Sequence, residues 1–368
     1  MKIQVSQKTL SNHIGIVQKG IPSRTTLQIL DGILMEAYGD KLKLISTDME
    51  IGIETYLDCH VIEEGSTVIN ARIFGDIVRK LPDSTIHIEL SDNNINIKCE
   101  DSEFNIMGYN PNEYPELPYI SNEISFSIPK NLFRSAIRQT VFATAQDETR
   151  PIYTGVLLEI MDGMASFVAL DGYRLSFRSI PVSSSENIKI VIPGRVLNEL
   201  NKILGDEEED MTIYIAPKNV MFNLGDTVVS SRLIEGQFLN YREMIRQEHK
   251  TSVKVDRKSF QDSLERASLL AKDEKANLVR LNIVDNQVFI KSNNEIGNVN
   301  ERISSNKSGD DINIAFNSKY LLDGIKVIDS EMIELLFMGS LNPCIIRPID
   351  DIDYTYLVLP VRSAQEDF

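Results

Sequence analysis

The chain has 368 residues and a formal net charge of −16, with 42% hydrophobic and 25% charged residues and neither Pro nor Gly in excess, the composition of a soluble globular protein of two or three domains at about 150 residues each. No apolar run nears the roughly 18 residues of a membrane span, the opening MKIQVSQKTL lacks the apolar core of a secretion signal, and Cys59, Cys99 and Cys344 suit neither a disulfide framework nor a zinc knuckle, so a reducing cytoplasm is the expected compartment. At face value the acidity also argues against a nucleic-acid partner, because polyanions prefer basic surfaces.

In chain order, the first element is a short alternating strand running into a helix, KIQVSQKTLSNHI, with the helix expected over 8–20. Gly and Asp turn signals then divide LQILDGILMEAYGDKLKLISTDMEIGIETYL into alternating strands. STVINARIFGDIVRKL reads as a strand and a helix over 71–81. There Ile73, Phe74, Ile77, Val78 and Leu81 share one face, while Arg72, Asp76 and Arg79 take the other and Lys80 its border. More strands follow, with a hairpin turn at SDNN. The order then returns. SFSIPKNLFRSAI repeats the opening, with a helix over 130–143, and IKIVIPGRVLNELNKIL repeats the second strand and helix, over 194–204. The acidic run GDEEED reads as a solvated loop. SVKVDRKSFQDSL opens a third copy with a helix over 257–272, and DINIAFNSKYLLDGIKVI supplies the last helix, over 318–328. DDID forms a turn before the final strand. His13, His60, His87 and His249 show no ligand spacing, and His13 is expected at the surface of the first helix.

Two sets of anchors give one period. Val5, Ile128 and Val255 correspond at intervals of 123 and 127, and Arg72, Arg195 and Lys319 at 123 and 124. A triplicated chain of strand-rich half-units, each carrying one helix, predicts an α+β fold. Its three repeated domains, each with two helices on antiparallel sheets, are expected at 1–121, 122–249 and 250–368. The six helices hold sixteen lysines and arginines against five aspartates and glutamates, a net of +11 that leaves −27 for the rest of a chain totalling −16. Helix propensity explains part of this bias, but glutamate forms helices about as well as lysine. If the six helices line one surface, a basic lane runs through an acidic body. A curved array of six half-units can close into a ring when protomers join head to tail. A basic bore suits a threaded polyanion, and an acidic exterior discourages binding on the wrong face.

Six strings carry a family resemblance: STDMEIGIE, TRPIYTGVLLE, ALDGYRLSFRSI, EGQFLNYREMI, FNSKYLLD and YLVLPVRS. In this order and spacing they resemble the bacterial sliding clamps, the beta subunits of DNA polymerase III, over essentially the whole chain. The resemblance implies a DNA polymerase processivity factor for replication: a homodimeric ring of two three-domain protomers, with twelve helices lining the hole and sheets outside. It implies no catalytic activity, no cofactor and no metal. The implied partners are sequence-independent double-stranded DNA, the polymerase III catalytic subunit, an ATP-driven clamp loader, and other proteins with clamp-binding peptides. Retention would be topological, so phosphate-directed charge can stay weak and indifferent to position.

Carried over by position, the resemblance assigns DNA contact to Arg24, Arg72, Arg79, Gln146, Arg150, Arg195 and Lys202. A groove for peptides of the Q-L-x-L-F kind is implied at Tyr153, Thr154, Gly155, Leu170, Gly172, Tyr173, Arg174, Leu175, Leu239, Met244, Asn317, Tyr320, Leu357, Leu359, Pro360, Val361 and Arg362. Apolar walls would receive Leu and Phe, and a few polar groups would fix orientation. Leu239 stands where the family usually has proline, Glu243 where it often has arginine, and Tyr153 where leucine is usual. Phe104 and Ile106 match the family's interface strand, and Leu269 and Leu270 the helix that meets it. In the terminal SAQEDF, Gln365 and Phe368 faintly mimic the binding peptide. Two other classes fit the composition: a metal-dependent DNA-processing enzyme with scattered carboxylates, and an acidic scaffold that binds only proteins.

Overall fold

The computed structural model describes residues 1–118, 124–147, 149–184, 186–245, 248–271 and 277–362; Gln365 and Phe368 lie outside them. Seven helices are present among these residues: α1 (Gln7–Val17), α2 (Ala71–Lys80), α3 (Lys130–Thr140), α4 (Gly194–Ile203), α5 (Arg242–Ile245), α6 (Arg257–Ala271) and α7 (Ser318–Lys326). No described helix is long and apolar enough to cross a membrane.

Each long helix begins where a strand ends, as the repeats require. The side chains of Asn70 and Asn317 accept from the Ile73 and Lys319 amides at the starts of α2 and α7, and Asp256 accepts from the Ser259 amide at the start of α6. These caps satisfy amides that the first helical turn leaves without partners. The far ends come earlier than the periodicity predicts. α1 stops at Val17, and Gln18–Gly20 tighten into a 3-10 turn, because the buried Ser46 hydroxyl takes the Val17 carbonyl. α3 stops at Thr140, whose hydroxyl donates back to the Ala136 carbonyl, and Val141–Ala143 turn as 3-10. α5, inside the string NYREMI, was not foreseen at all.

By contacts the chain forms two compact units: Met1–Asn131 with Glu199–Leu233, and Leu132–Asn198 with Ile234–Phe368. The middle repeat is shared between them, because strands of neighbouring repeats pair edge to edge. In the first unit, Thr227–Arg232 pairs antiparallel with Ile51–Asp58, completing an eight-stranded sheet from Ile124–Pro129 to Gly65–Asn70. A five-stranded sheet in the same unit ends on Ser102–Met107. In the second unit, Arg174–Pro181 pairs with Tyr354–Val358, completing a nine-stranded sheet. A four-stranded sheet there ends on Asn298–Ser304.

Amphipathic helices seal the sheets. In the second unit Phe260, Leu264 and Ala267 of α6 and Leu321 and Ile325 of α7 share a core with Phe316, Phe337, Tyr354 and Tyr356. The predicted turn at SDNN is present, with Asp92 in the left-handed region between strands ending at Ser91 and starting at Asn94. One exposure stands out, and one expectation is corrected. Ile73 is 49% exposed although it shares the apolar stripe of α2 with the buried Phe74 and Val78. His13 is half-buried rather than free at the surface: its Nδ1 lies 2.8 Å from Thr55 Oγ1, itself 2.8 Å from Thr227 Oγ1, at the joint of the first two repeats.

Burial lowers the His13 pKa from its ordinary 6.5 and outweighs the opposing pull of Asp226. Unfolded chains therefore bind this proton more readily, and the stability His13 contributes is complete above about pH 6.5 and drains as pH falls towards the depressed value. Thermal unfolding of the wild type should lose more between pH 8 and pH 5.5 than that of a His13→Gln chain. Parallel curves for the two chains would refute the assignment.

Candidate functional site

The first unit brings Arg79 and Lys202 to the end of α1. Arg24, Arg72, Arg79 and Lys202 are all exposed. Arg79 donates to Gln18 Oε1 at 3.1 Å, and Gln18 donates back to the Ala71 carbonyl at 2.6 Å, so α1 and α2 are tied at this corner. Beside it, Lys19 donates to the Gly15 carbonyl. Burial lowers its pKa, Glu199 opposes that, and Lys202 depresses it further. Arg79 and Lys202 thus flank one spot, with Gln18 and Lys19 between them. Each also pairs with an acid one turn away, Asp76 at 2.6 Å and Glu199 at 2.8 Å. Such exposed pairs are worth little, and both side chains can turn to a phosphate. Arg195, Gln146 and Arg150 are exposed residues of the second unit. Gln18 escaped the sequence reading because a neutral side chain adds nothing to a charge count.

The second unit also assembles an apolar site. Leu170 faces Leu175 and Leu175 faces Leu357 across three adjacent strands. They belong to one cluster with Phe238 and the partly buried Ile152, Tyr153, Met244 and Leu359. Tyr153 meets Phe238 edge-on at 5.7 Å. Leu239 is exposed on the strap that leads into α5. Beneath it, Tyr241 Oη and Arg242 both donate to Glu159 at 2.7 Å. Burial, with Glu159 alongside, pushes the Tyr241 hydroxyl up to about 12.

One rim of this site is a tight turn. Asp171 Oδ1 accepts from the Tyr173 and Arg174 amides, and Gly172 holds φ +92°, a conformation that favours glycine. Tyr173 is 61% exposed and stacks on Tyr320 at 6.1 Å. The chain beyond the final strand passes alongside: the Leu359 amide donates to the Tyr173 carbonyl, and the Val361 amide to the Ala315 carbonyl, both at 2.8 Å. Pro360 and Val361 are partly covered there, and Arg362 is exposed.

Several sequence-predicted site residues prove to be structural supports. Arg174 is buried, donating to Asp171, Asp323 and the Phe142 carbonyl with its guanidinium 4.5 Å above the Tyr320 ring. Asn317 caps α7. Thr154 bonds the Pro151 carbonyl. At Gly155 a Cβ would stand 2.7 Å from the Ile192 carbonyl oxygen, so close sheet packing demands glycine there. Phe238, Ile152 and the Glu159 network carry no signal in the sequence: within EGQFLNYREMI nothing local tells the inward side chain of Phe238 from its exposed neighbour Leu239.

Phe104 and Ile106 lie on Ser102–Met107, the open edge of the five-stranded sheet. Phe104 is 38% exposed and lines a depression of about 280 Å³ with Ile73, Ile77 and Leu81. In the second unit Leu269 of α6 is 64% exposed, Leu270 is half-buried, and Asn298–Ser304 is again an open edge. Among the described residues no group of three or more His, Cys, Asp or Glu is placed to hold a metal ion.

Comparison with known proteins covers the whole fold. Family models of the DNA polymerase III beta subunit match in succession: the N-terminal domain at residues 1–118, the central domain at 127–240 and the C-terminal domain at 242–362. The chain is 36% identical to the beta sliding clamp of Halalkalibacterium halodurans, over 99% of this chain and 100% of that one. It is 34% identical to that of Staphylococcus aureus, with the same coverage. Among solved structures, the DNA polymerase sliding clamp from Bacillus subtilis superposes with a TM-score of 0.95 at 35% identity, covering 99% of this chain and 100% of that one. A sliding clamp from Pseudomonas aeruginosa bound to griselimycin gives 0.94 at 26% identity, with the same coverage.

Proposed function

The chain belongs to the DNA polymerase III beta-subunit family, the bacterial sliding clamps, and from that premise we propose a homodimeric ring that encircles duplex DNA and holds the polymerase to it. It is a DNA polymerase processivity factor, and on this reading a binding protein with no chemistry of its own. The three domains are taken at 1–121, 122–249 and 250–368, and the cytoplasm as its compartment. The cations around α1 meet phosphate oxygens without reading bases, so the ring slides. The apolar site of the second unit takes the partner peptide, with Leu170, Leu175 and Leu357 as its floor.

One observation carries the ring: the same joint is made twice within the chain, and its two halves are left open once more. At the first joint Val229 faces Ile53 and Thr227 faces Thr55. At the second, Tyr356 faces Ser176 and Tyr354 faces Arg178. Counting pair by pair through the sheets, Val229 and Tyr356 correspond to Phe104, and Ile53 and Ser176 to Val299. Phe104 of one protomer therefore faces Val299 of a second copy, Ser102 faces Glu301, and Ile106 faces Gly297. Such pairing removes two exposed edges. It also accounts for Ile73, whose counterpart Val196 is buried, and for Leu269, whose counterpart Phe142 packs on Tyr356.

The test is topological. Loaded onto a nicked circular plasmid by a clamp loader and ATP, the protein should co-elute with the circle and be lost once the plasmid is cut to a linear form. Equal retention on both templates, or none on either, would refute encirclement; metal-dependent cleavage would point to a DNA-processing enzyme.

A further inference from the structure

The apolar site of the second unit has a counterpart in the first, register for register. Leu157 faces Val168 and Val191 on its neighbouring strands, and Leu34 faces Ile45 and Val68. A strap crosses each sheet from the same point: the Ile234 amide donates to the Val191 carbonyl at 2.9 Å, and the Tyr109 amide to the Val68 carbonyl at 2.8 Å. Each strap carries a buried tyrosine, Tyr241 or Tyr114, three residues ahead of Met244 or Leu117.

The floors differ. Where the second unit sets Leu170, Leu175 and Leu357 side by side, the first sets Thr47, Gly52 and Ser230. Three small residues leave a notch in the sheet, and the side chain of Leu117 enters it. A Cβ on Gly52 would stand 2.5 Å from Leu117 Cδ2 and 2.7 Å from Ser230 Oγ. A side chain at 52 and the Leu117 side chain therefore compete for one space, and an alanine there would have to displace Leu117.

We infer that Leu117 is an internal ligand, filling in the first unit the place that an apolar side chain of a partner peptide takes in the second, so that each chain offers one partner groove instead of two. What Leu117 covers is independent of the partner-groove reading; what it excludes rests on that reading. The third copy of the position is closed by chemistry instead. Asn293 faces Asn298 there, with Arg280 and Lys291 in the places of Leu157 and Val168, and in the proposed ring the partner's Asn105 completes the row. Two facing amides flanked by two cations suit a Leu or Phe anchor poorly, because burying them against it strips their water without replacing their hydrogen bonds.

Two readouts on the full-length protein test this. In a Cys59→Ser background, Ser230→Cys places a thiol beside the notch, and its labelling by an aromatic disulfide reagent reports access. Leu117→Gly should speed labelling at least about tenfold, as expected when a side chain and not a rare local opening controls access. Gly52→Ala, which leaves the strap unchanged but pushes Leu117 out, should also speed it. Calorimetric titration with the peptide Gln-Leu-Ser-Leu-Phe should give one peptide per chain in the wild type and a second, weaker one after Leu117→Gly. Unchanged labelling in both variants would overturn the inference, because Leu117 would not be the cover. Faster labelling with still one peptide per chain would overturn it too, because the notch would be no copy of the groove. A wild type that binds no peptide would instead sink the partner-groove reading, with the labelling arm still deciding what Leu117 covers.

Discussion

Aspartates at Leu269 and Leu270 should turn a particle of twice 41.6 kDa into a monomer by light scattering at micromolar concentration, and abolish retention on circular DNA. Leu269 is mostly exposed in the isolated chain, so its replacement leaves the α6 core of Phe260, Leu264 and Ala267 untouched. In the ring it would lie against Ile73, Ile77 and Phe104 of the second copy. Fully burying one leucine is worth about 1.5–3 kcal/mol, and placing an unpaired carboxylate in that apolar contact costs several more. At 1.4 kcal/mol per tenfold, two such changes weaken each interface by roughly a thousandfold or more. An unchanged dimer would place the interface elsewhere. The register is tested separately: Phe104→Cys with Val299→Cys should oxidise to a covalent dimer, since directly opposed residues on antiparallel strands sit about 4.5–5.5 Å apart, within disulfide range. Moving the first cysteine one residue along, to Asn105, should abolish the cross-link.

The second large effect is expected at Arg174. Replacing it with alanine should cost the second unit about 3–5 kcal/mol, the usual penalty for removing one partner of a buried ion pair. Its guanidinium is shared by Asp171 at 3.0 Å, Asp323 at 2.6 Å and the Phe142 carbonyl at 2.8 Å. Truncation leaves two carboxylates and a carbonyl facing a hole beside Tyr320. The groove should suffer with the fold, because Asp171 also holds the turn that presents Gly172 and Tyr173. Lysine should not rescue it, since an ammonium cannot reproduce a planar fork bonded in three directions. Denaturant melts of the wild type, Arg174→Ala and Arg174→Lys, read beside titration with the same pentapeptide, would check this. Melts within about 1 kcal/mol of wild type would show that Arg174 is a replaceable surface cation.

Most of the architecture is legible in the residues. Six strand-to-helix openings recur with matching anchors, and all six helices form beside the strands that announce them. Their ends fall earlier than periodicity predicts because Ser46 takes the last carbonyl of α1 and the backbone leaves helical angles at Thr140, neither of which periodicity encodes. Six of the seventeen residues proposed for the groove come together in one cluster of the second unit, and the list mixes kinds. Leu175 and Leu357 are floor, Arg174 and Asn317 are supports, and only such residues as Tyr173 and Leu239 offer open surface. A motif shows which residues travel together and does not say which way each side chain turns.

The triplication, the helices, the alternating strands and the segregation of charge are local or periodic properties, readable from residue order because backbone geometry fixes a helix at 3.6 residues per turn and a strand at two. The partners of His13, the burial of Arg174, the gap beside Ile73 and the choice of Leu117 to fill the notch at Gly52 depend on residues tens to hundreds of positions apart. Those were settled only when edge strands of successive repeats paired, because side chains compete for one shared space that no single stretch of chain describes.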